Sequence, residues 1–561
     1  MSLKRTWGLL ITLVVISLMV GCYGGETDAV NEKGDNAGTT TEIEKSEDKR
    51  TGEKVLKVAT AGELPTIRTN GNLDGLSQTV MLNIYEGLFM PDENSKLTNG
   101  IAEDYEFNED DLTYTFYLRE DALWTNGEPT TAHDFVYAWK KAMNPDTFSP
   151  HAYLMAPIVN ASEIQNKDHE LYGQVEALGV KAIDNFTLEV KLENNVPYFL
   201  ELLTNPVFFP QNQDFVETQG EKYGLEPENA IYNGAFYLDT WNHDQGWVLK
   251  KYEDYWDSES VKIDAVEYKV AKDTSTEVNL YETDEIDVAN LSSEFVDMFS
   301  EHEEYSTSLN SEVYFVRFNL ENEHLNNVNI RKAIDMAYDK QQIADVILKN
   351  GSLPAYFLIP NEYVFSPEGK DFRDKHGDLN KTNIEEAQEY WQTGLAELGV
   401  NEISIEMLSY DDGQRKSVAE FMKNQLESNL RGLTVSINQQ PNKQKLDLEG
   451  KQNYDMSFSG WRSDIGDAVD LLEIYLSTGP YNWQSFSNEE YDQIITKANN
   501  DFTDLNQRFT ELQRAEQILI EEEAVISPIY QSSNAKLIKP YVNGYVAHPN
   551  NTISYKWVSI D

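Results

Sequence analysis

The stretch Tyr454–Asp467, YDMSFSGWRSDIGD, decides how the chain is read. Tyr454, Met456 and Phe458 alternate with Asp455, Ser457 and Ser459, the period of two expected of a strand with one face buried. The strand runs into Gly460-Trp461 and then a polar turn, Arg462-Ser463-Asp464. A carboxylate just past a strand end, beside a large aromatic, can bind a cation where water is partly excluded. On the residues alone, Asp464 reads more simply as an ordinary loop acid.

Working outward, the chain of 561 residues exceeds one ordinary core and suggests about three or four domains. Its 45 basic and 96 acidic residues give a formal charge of −51. Such a surface repels nucleic acid and anionic headgroups, which excludes both as direct partners. The plain reading of the charge is solubility outside the cell. Aromatics at 11% supply a globular body with stacking contacts. Cys22 is the single cysteine, so no intrachain disulfide or cysteine metal cage can form.

At the start, Lys4 and Arg5 precede an apolar run, Trp7 to Val20, too short for a membrane span but ordered like a signal peptide. Met19-Val20-Gly21-Cys22 resembles a bacterial lipobox, which implies cleavage after residue 21 and diacylglycerol on the Cys22 sulfur. Residues 22–54 are Gly, Thr, Asp, Glu, Lys and Asn with few apolar residues, a tether that reaches roughly 30 Å.

In the body, a buried strand is expected at 55–61, followed by Gly62-Glu63-Leu64-Pro65, and a helix within 76–90 that ends near Gly87. Leu112–Met143 reads as a strand, a Thr-Asn-Gly turn and a helix, with Thr131 and Asp134 at capping-box spacing. Residues 186–192 alternate as a half-buried strand, and Tyr232-Asn233-Gly234-Ala235-Phe236 is a turn entering another. Helices are expected at 329–350, 383–399, about 488–499 and 505–522. Strands at 403–408 and 433–438 flank a helix at 414–430, a βαβ unit favouring a parallel pair. Asp467 reads as the cap of a helix starting at Ala468, a simpler account of Asp464, Asp467 and Asp470 than a calcium ladder.

These stretches, with Ser149-Pro150-His151-Ala152-Tyr153 and Val313–Asn319, together resemble the oligopeptide-binding lipoproteins of peptide ABC transporters, bacterial extracellular solute-binding protein family 5. The likeness covers nearly the whole chain. It implies a two-lobed α/β fold of the periplasmic-binding-protein type (class II, large), with an extra domain inserted in the first lobe. The implied boundaries are 55–75, 201–312 and 532–561 for lobe I, 76–200 for the insertion and 313–531 for lobe II. Two crossings between lobes make a hinge rather than a loose linker. The resemblance further implies that Asp464 holds the α-ammonium of a bound peptide and that Gly460 and Trp461 border its backbone. It places Glu63, His151, Asn233 and Gly234 near the peptide. Glu449 and Phe458 stand where some members keep basic residues, which leaves Arg415 and Arg462 as candidates for the peptide carboxylate.

The implied role is a non-enzymatic, monomeric, lipid-anchored protein on the extracellular face of a Gram-positive-like membrane. It would hand short peptides to the permease and ATPase subunits of a transporter, with no cofactor. Alternatives on the same fold are a receptor for a signalling peptide, or a carrier of nickel, haem or a sugar. An amine-bearing ligand suits Asp464 better than a neutral sugar does. A surface hydrolase is a further alternative, although no phosphate loop, Gly-x-Ser-x-Gly elbow or His-Glu-x-x-His site is present.

Overall fold

The computed structural model describes residues 52–71, 74–463, 465–500 and 504–561. Asp464, Cys22, the residues read as a signal peptide and most of those read as a tether lie outside the described residues. The organising element is a mixed sheet of eleven strands. In chain order these are β1 (Val55–Thr60), β2 (Phe236–Asn242), β3 (Gly246–Lys251), β4 (Ala265–Val270), β5 (Val288–Leu291) and β6 (Tyr305–Phe318). There follow β7 (Leu353–Pro354), β8 (Ile403–Tyr410), β9 (Leu433–Gln440), β10 (Met456–Arg462) and β11 (Ile526–Ile538). Across the sheet the order is β9-β8-β10-β6-β11-β5-β1-β4-β3-β2, with β7 added to β11.

β6 and β11, of 14 and 13 residues, are long enough to serve both halves of the sheet. On the β1 side, β1 and β4 pair in parallel and β4, β3 and β2 follow as antiparallel neighbours. The helix Gly75–Ile84 and a separate four-stranded sheet, Ala102–Asn108, Thr113–Leu118, Thr187–Lys191 and Val180–Asp184, share one continuous core with these strands. On the other side β8 and β9 pair in parallel around the helix Gly413–Asn429, the βαβ unit expected from the pattern. That half buries two cores. One contains Val316, Met456 and Phe458; the other contains Phe315, Leu471 and Leu519. The result is the two-lobed mixed α/β architecture.

Local signals hold where one side chain decides them. The Asp134 carboxylate accepts from the Thr131 N–H at 2.7 Å and from its hydroxyl at 3.1 Å, closing the cap of the helix Ala132–Met143. Asp467 accepts from Val469 N–H at 2.9 Å and caps Ala468–Leu472, while Arg508 grips the same carboxylate with both terminal nitrogens.

Three expectations are corrected. The helix expected to end near Gly87 stops at Ile84, because Phe89–Pro91 pairs as a strand with Leu97–Asn99. The helix expected at 329–350 is broken after Met336; Asp339 caps a new short helix at Lys340–Gln342, and Ile343–Leu348 continues as a wider π-type turn. Finally, β10 is buried on both faces through Ser459 rather than on one. Ser457 and Ser459 donate to the Glu449 carboxylate, which also pairs with Lys445 at 2.7 Å, so small hydroxyls occupy the second buried face.

An ion network around a fully buried carboxylate fixes the segment after β7. Glu516 accepts from the N–H groups of Leu358 and Ile359, each at 2.8 Å, and pairs with Arg373 and His376. Burial alone would raise its pKa, but Arg373, His376 and the backbone donors hold it down at about 2. The folded value lies below the unfolded one, so this stabilisation is complete above about pH 4.5 and fades as pH falls toward 2. Glu516→Gln is expected to lower stability by about 3–5 kcal/mol at neutral pH, since Arg373 stays buried without its partner. Urea midpoints of wild type and variant should converge between pH 7 and pH 3; a gap that stays constant with pH contradicts the assignment.

Candidate functional site

The site is built around the place where β6 and β11 change register. From Tyr305↔Leu537 to Leu309↔Ser533 they pair in one register, and pairing resumes at Val313↔Gln531. In between, Asn310, Ser311 and Glu312 stand opposite Ser532 alone. Extra residues on one strand interrupt the ladder and let the pair bend and twist. A second irregularity follows at Tyr314/Phe315, beside Pro528, which has no N–H to donate.

Polar side chains satisfy the broken ladder. Asn310 donates to Ser532 Oγ at 3.2 Å, and Asn534 donates to Asn310 Oδ1 at 3.2 Å and to Asn551 Oδ1 at 2.8 Å. Gln531 donates to the carbonyls of Asn310 at 2.9 Å and Asn361 at 3.1 Å. Ser311 Oγ donates to the Ser463 carbonyl at 2.7 Å, tying the bulge to the turn after β10.

Two cavities flank these strands. The larger, 940 Å³, takes Gln531 together with Leu309, Tyr363, Ile465, Gly466 and His548. The smaller, 290 Å³, takes the neighbouring residues Tyr530 and Ser532, whose side chains leave the strand on the opposite face. Glu312, Tyr314, Asp412 and Arg415 also line it, and most of the remainder is Asn and Ser.

β10 brings a backbone edge to the same region. Along one edge it pairs with β6 over its whole length, Phe318↔Met456 to Glu312↔Arg462. Its other edge pairs with β8 only at Met456 and Ser457. Among the described residues, no strand pairs with that edge from Phe458 to Arg462. An edge with unpaired N–H and C=O groups is a template for one more strand.

The sequence-predicted residues divide into two groups. Gly460 lies opposite Tyr314, and a Cβ there would come 2.8 Å from the ring, so glycine lets the tyrosine lie against the strand. Tyr314 stacks on Tyr530 with ring centroids 4.7 Å apart. Trp461 points to the other face and meets Tyr481 edge-on at 5.2 Å. Arg462 reaches the far side of the cleft, where its Nη1 lies 3.9 Å from the position of a Cβ on Gly75. Arg415 sits with its Cζ 3.8 Å above the Tyr410 ring and its Nε on Asp412 at 2.6 Å.

The second group is engaged elsewhere. The Glu63 carboxylate accepts from Trp241 Nε1 and Asp244 N–H on the β2–β3 hairpin. Asn233 exchanges hydrogen bonds with the Glu86 backbone in both directions at 3.1 Å. A Cβ on Gly234 would fall 2.6 Å from the Ile84 carbonyl carbon, so this pair secures the exit of the helix Gly75–Ile84. His151 starts the turn Ala152–Met155 and lines neither cavity. Of the two positions that the resemblance compared with basic residues, Phe458 is sealed in the core and Glu449 is held by Lys445 and two serines. Sequence reasoning missed Glu312, because nothing local separates one acid at a strand from the other 95. Its signal is the three-to-one bulge, which only the pairing reveals.

With this geometry in place, comparison with known proteins is direct. The family model "Bacterial extracellular solute-binding proteins, family 5 Middle" matches residues 96–483. The chain belongs to that family. The dipeptide-binding protein DppE of Bacillus subtilis is 31% identical to this family 5 chain, over 99% of it and 98% of DppE. The substrate-binding domain of an oligopeptide ABC transporter from Bacillus anthracis superposes with a TM-score of 0.74 at 40% identity, over 91% of this chain and 99% of that one. Peptide-bound OppA of Listeria monocytogenes superposes at 0.73 with 35% identity, over the same shares.

Proposed function

We propose that this family 5 protein captures short peptides between its lobes and delivers them to the permease of an ABC transporter. The observation that carries the reading is the unpaired edge of β10 from Phe458 to Arg462, on the strand next to β6, whose residues line both cavities. A peptide added there as a strand gains main-chain hydrogen bonds that do not depend on its sequence. Its side chains would alternate between the two faces, one cavity lined mainly by amides and hydroxyls and the larger one by a mixture of apolar and polar residues, with room for adaptable water. Relatives named for dipeptide and oligopeptide binding support the ligand class. Asp464, two residues past the strand, is the residue proposed to take the α-ammonium, and Arg415 or Arg462 the carboxylate. The protein acts by capture and release, without catalysis.

The lipobox-like Met19–Cys22 supports a diacylglycerol anchor at Cys22 and retention on the outer face of a cell membrane. Cys22→Ser should abolish incorporation of labelled lipid and release the protein or leave it unprocessed; an unchanged label and fractionation contradict the anchor.

The ligand assignment is tested at Asp464. Removing one member of a desolvated ion pair costs about 2–5 kcal/mol, because the other charge is left unpaired. That is roughly 30-fold to several thousand-fold in affinity. Asp464→Asn should weaken free peptides by this amount. N-acetylated peptides should already bind wild type poorly and lose little more in the variant. Calorimetry on the four combinations should give a coupling above about 1 kcal/mol. Coupling near zero in a folded variant contradicts the ammonium clamp.

A further inference from the structure

Resting on the peptide-capture reading, we propose that Glu312 makes the smaller cavity a subsite for a cationic side chain of the ligand, the ammonium of Lys or the guanidinium of Arg. The cavity has three charged residues among the described lining: Glu312, Asp412 and Arg415. Asp412 and Arg415 pair with each other at 2.6 Å, so Arg415 is shared and offsets Glu312 only in part. Glu312 remains. Its carboxylate is hydrogen-bonded by the Tyr314 hydroxyl and, at a long 3.5 Å, by Ser532 Oγ.

Arg462 lies opposite Glu312 in the strand register, but its guanidinium extends to Gly75 across the cleft. Burial raises the Glu312 pKa, and Tyr314, Arg462 and Arg415 offset that only in part. The bulge explains why an acid is tolerated there. The half-buried side chain is held at the wider of the two register breaks, lining the cavity.

The rest of the lining suits a cation. The rings of Tyr314 and Tyr530 form one wall, and aromatic faces attract ammonium and guanidinium groups. The neutral amides and hydroxyls of residues such as Asn290, Asn350 and Ser532 can solvate such a group without competing for its charge. A neutral ligand group would leave Glu312 buried with only the partial compensation of Tyr314, Arg462 and Arg415, and an acidic one would add repulsion. The net charge of −51 acts in the same direction, concentrating cationic peptides at the surface before they bind.

The test is a calorimetric scan of wild type with tetrapeptides in which each position in turn is Lys, Arg, norleucine or Glu. One position should favour Lys and Arg over norleucine by roughly 10- to 100-fold and disfavour Glu. Glu312→Gln should remove that preference with the norleucine peptides little changed, and Glu312→Asp should keep much of it. Should the Gln variant fail to fold, a crystal structure of wild type with the preferred peptide decides: the cationic group lies within 4 Å of the Glu312 carboxylate if the proposal holds. Peptides that bind with no positional preference, or a preference that survives in Glu312→Gln, overturn the subsite and leave peptide capture standing. Failure of every peptide to bind removes the peptide reading and the subsite together.

Discussion

The structure depends on the antiparallel pairing of β6 with β11. These two strands are the backbone of both lobes at once, and their register fails at Asn310–Glu312 against Ser532. A continuous ladder there would make one stiff sheet. A broken one keeps the halves covalently aligned while leaving a bend that few backbone hydrogen bonds resist. The amide and hydroxyl groups of Asn310, Gln531, Ser532 and Asn534 take over from the ladder, so the bulge leaves these polar groups paired. The same interruption frees space on both faces of the pair, which is where the cavities lie.

Away from the hinge, the facing surfaces meet through polar contacts. The Tyr198 hydroxyl donates to Asn499 Oδ1 at 3.2 Å, beside the Asp467–Arg508 pair. Glu201 and Glu473 near that pair have pKa values raised by burial, so bringing these surfaces together carries an electrostatic cost. An acidic protein with polar facing surfaces has little reason to stay shut when empty. Under the proposed capture, a ligand that supplies positive charge and backbone hydrogen bonds would shift the balance toward closure by interacting more strongly with the closed state.

Much of the fold was legible in the sequence because its signals are local. Alternation identified β10, the Thr131–Asp134 spacing identified a cap, and the strand–helix–strand pattern identified the parallel β8–β9 pair. Errors arose where tertiary partners overrode local pattern. Ser457 and Ser459 look solvent-facing until Glu449 and Lys445 are seen beneath them, and the helix ending at Ile84 gives way to a strand supplied with a partner by Leu97–Asn99. The site was less legible than the fold. Arg415 lines the smaller cavity and Gly460 makes room for the Tyr314 ring, whereas Glu63 and Asn233 are committed to neighbours that are distant in sequence. Glu312 carried no local mark at all, since its meaning comes from a register shift between strands some 220 residues apart.

Hinge bending about the β6–β11 bulge is most directly tested by small-angle scattering of the protein with and without a peptide whose binding has been established by calorimetry. Closure predicts a smaller radius of gyration and a shorter maximum dimension in the complex. An unchanged scattering profile at saturation would show that the bulge is a rigid kink and that ligand enters a site already formed.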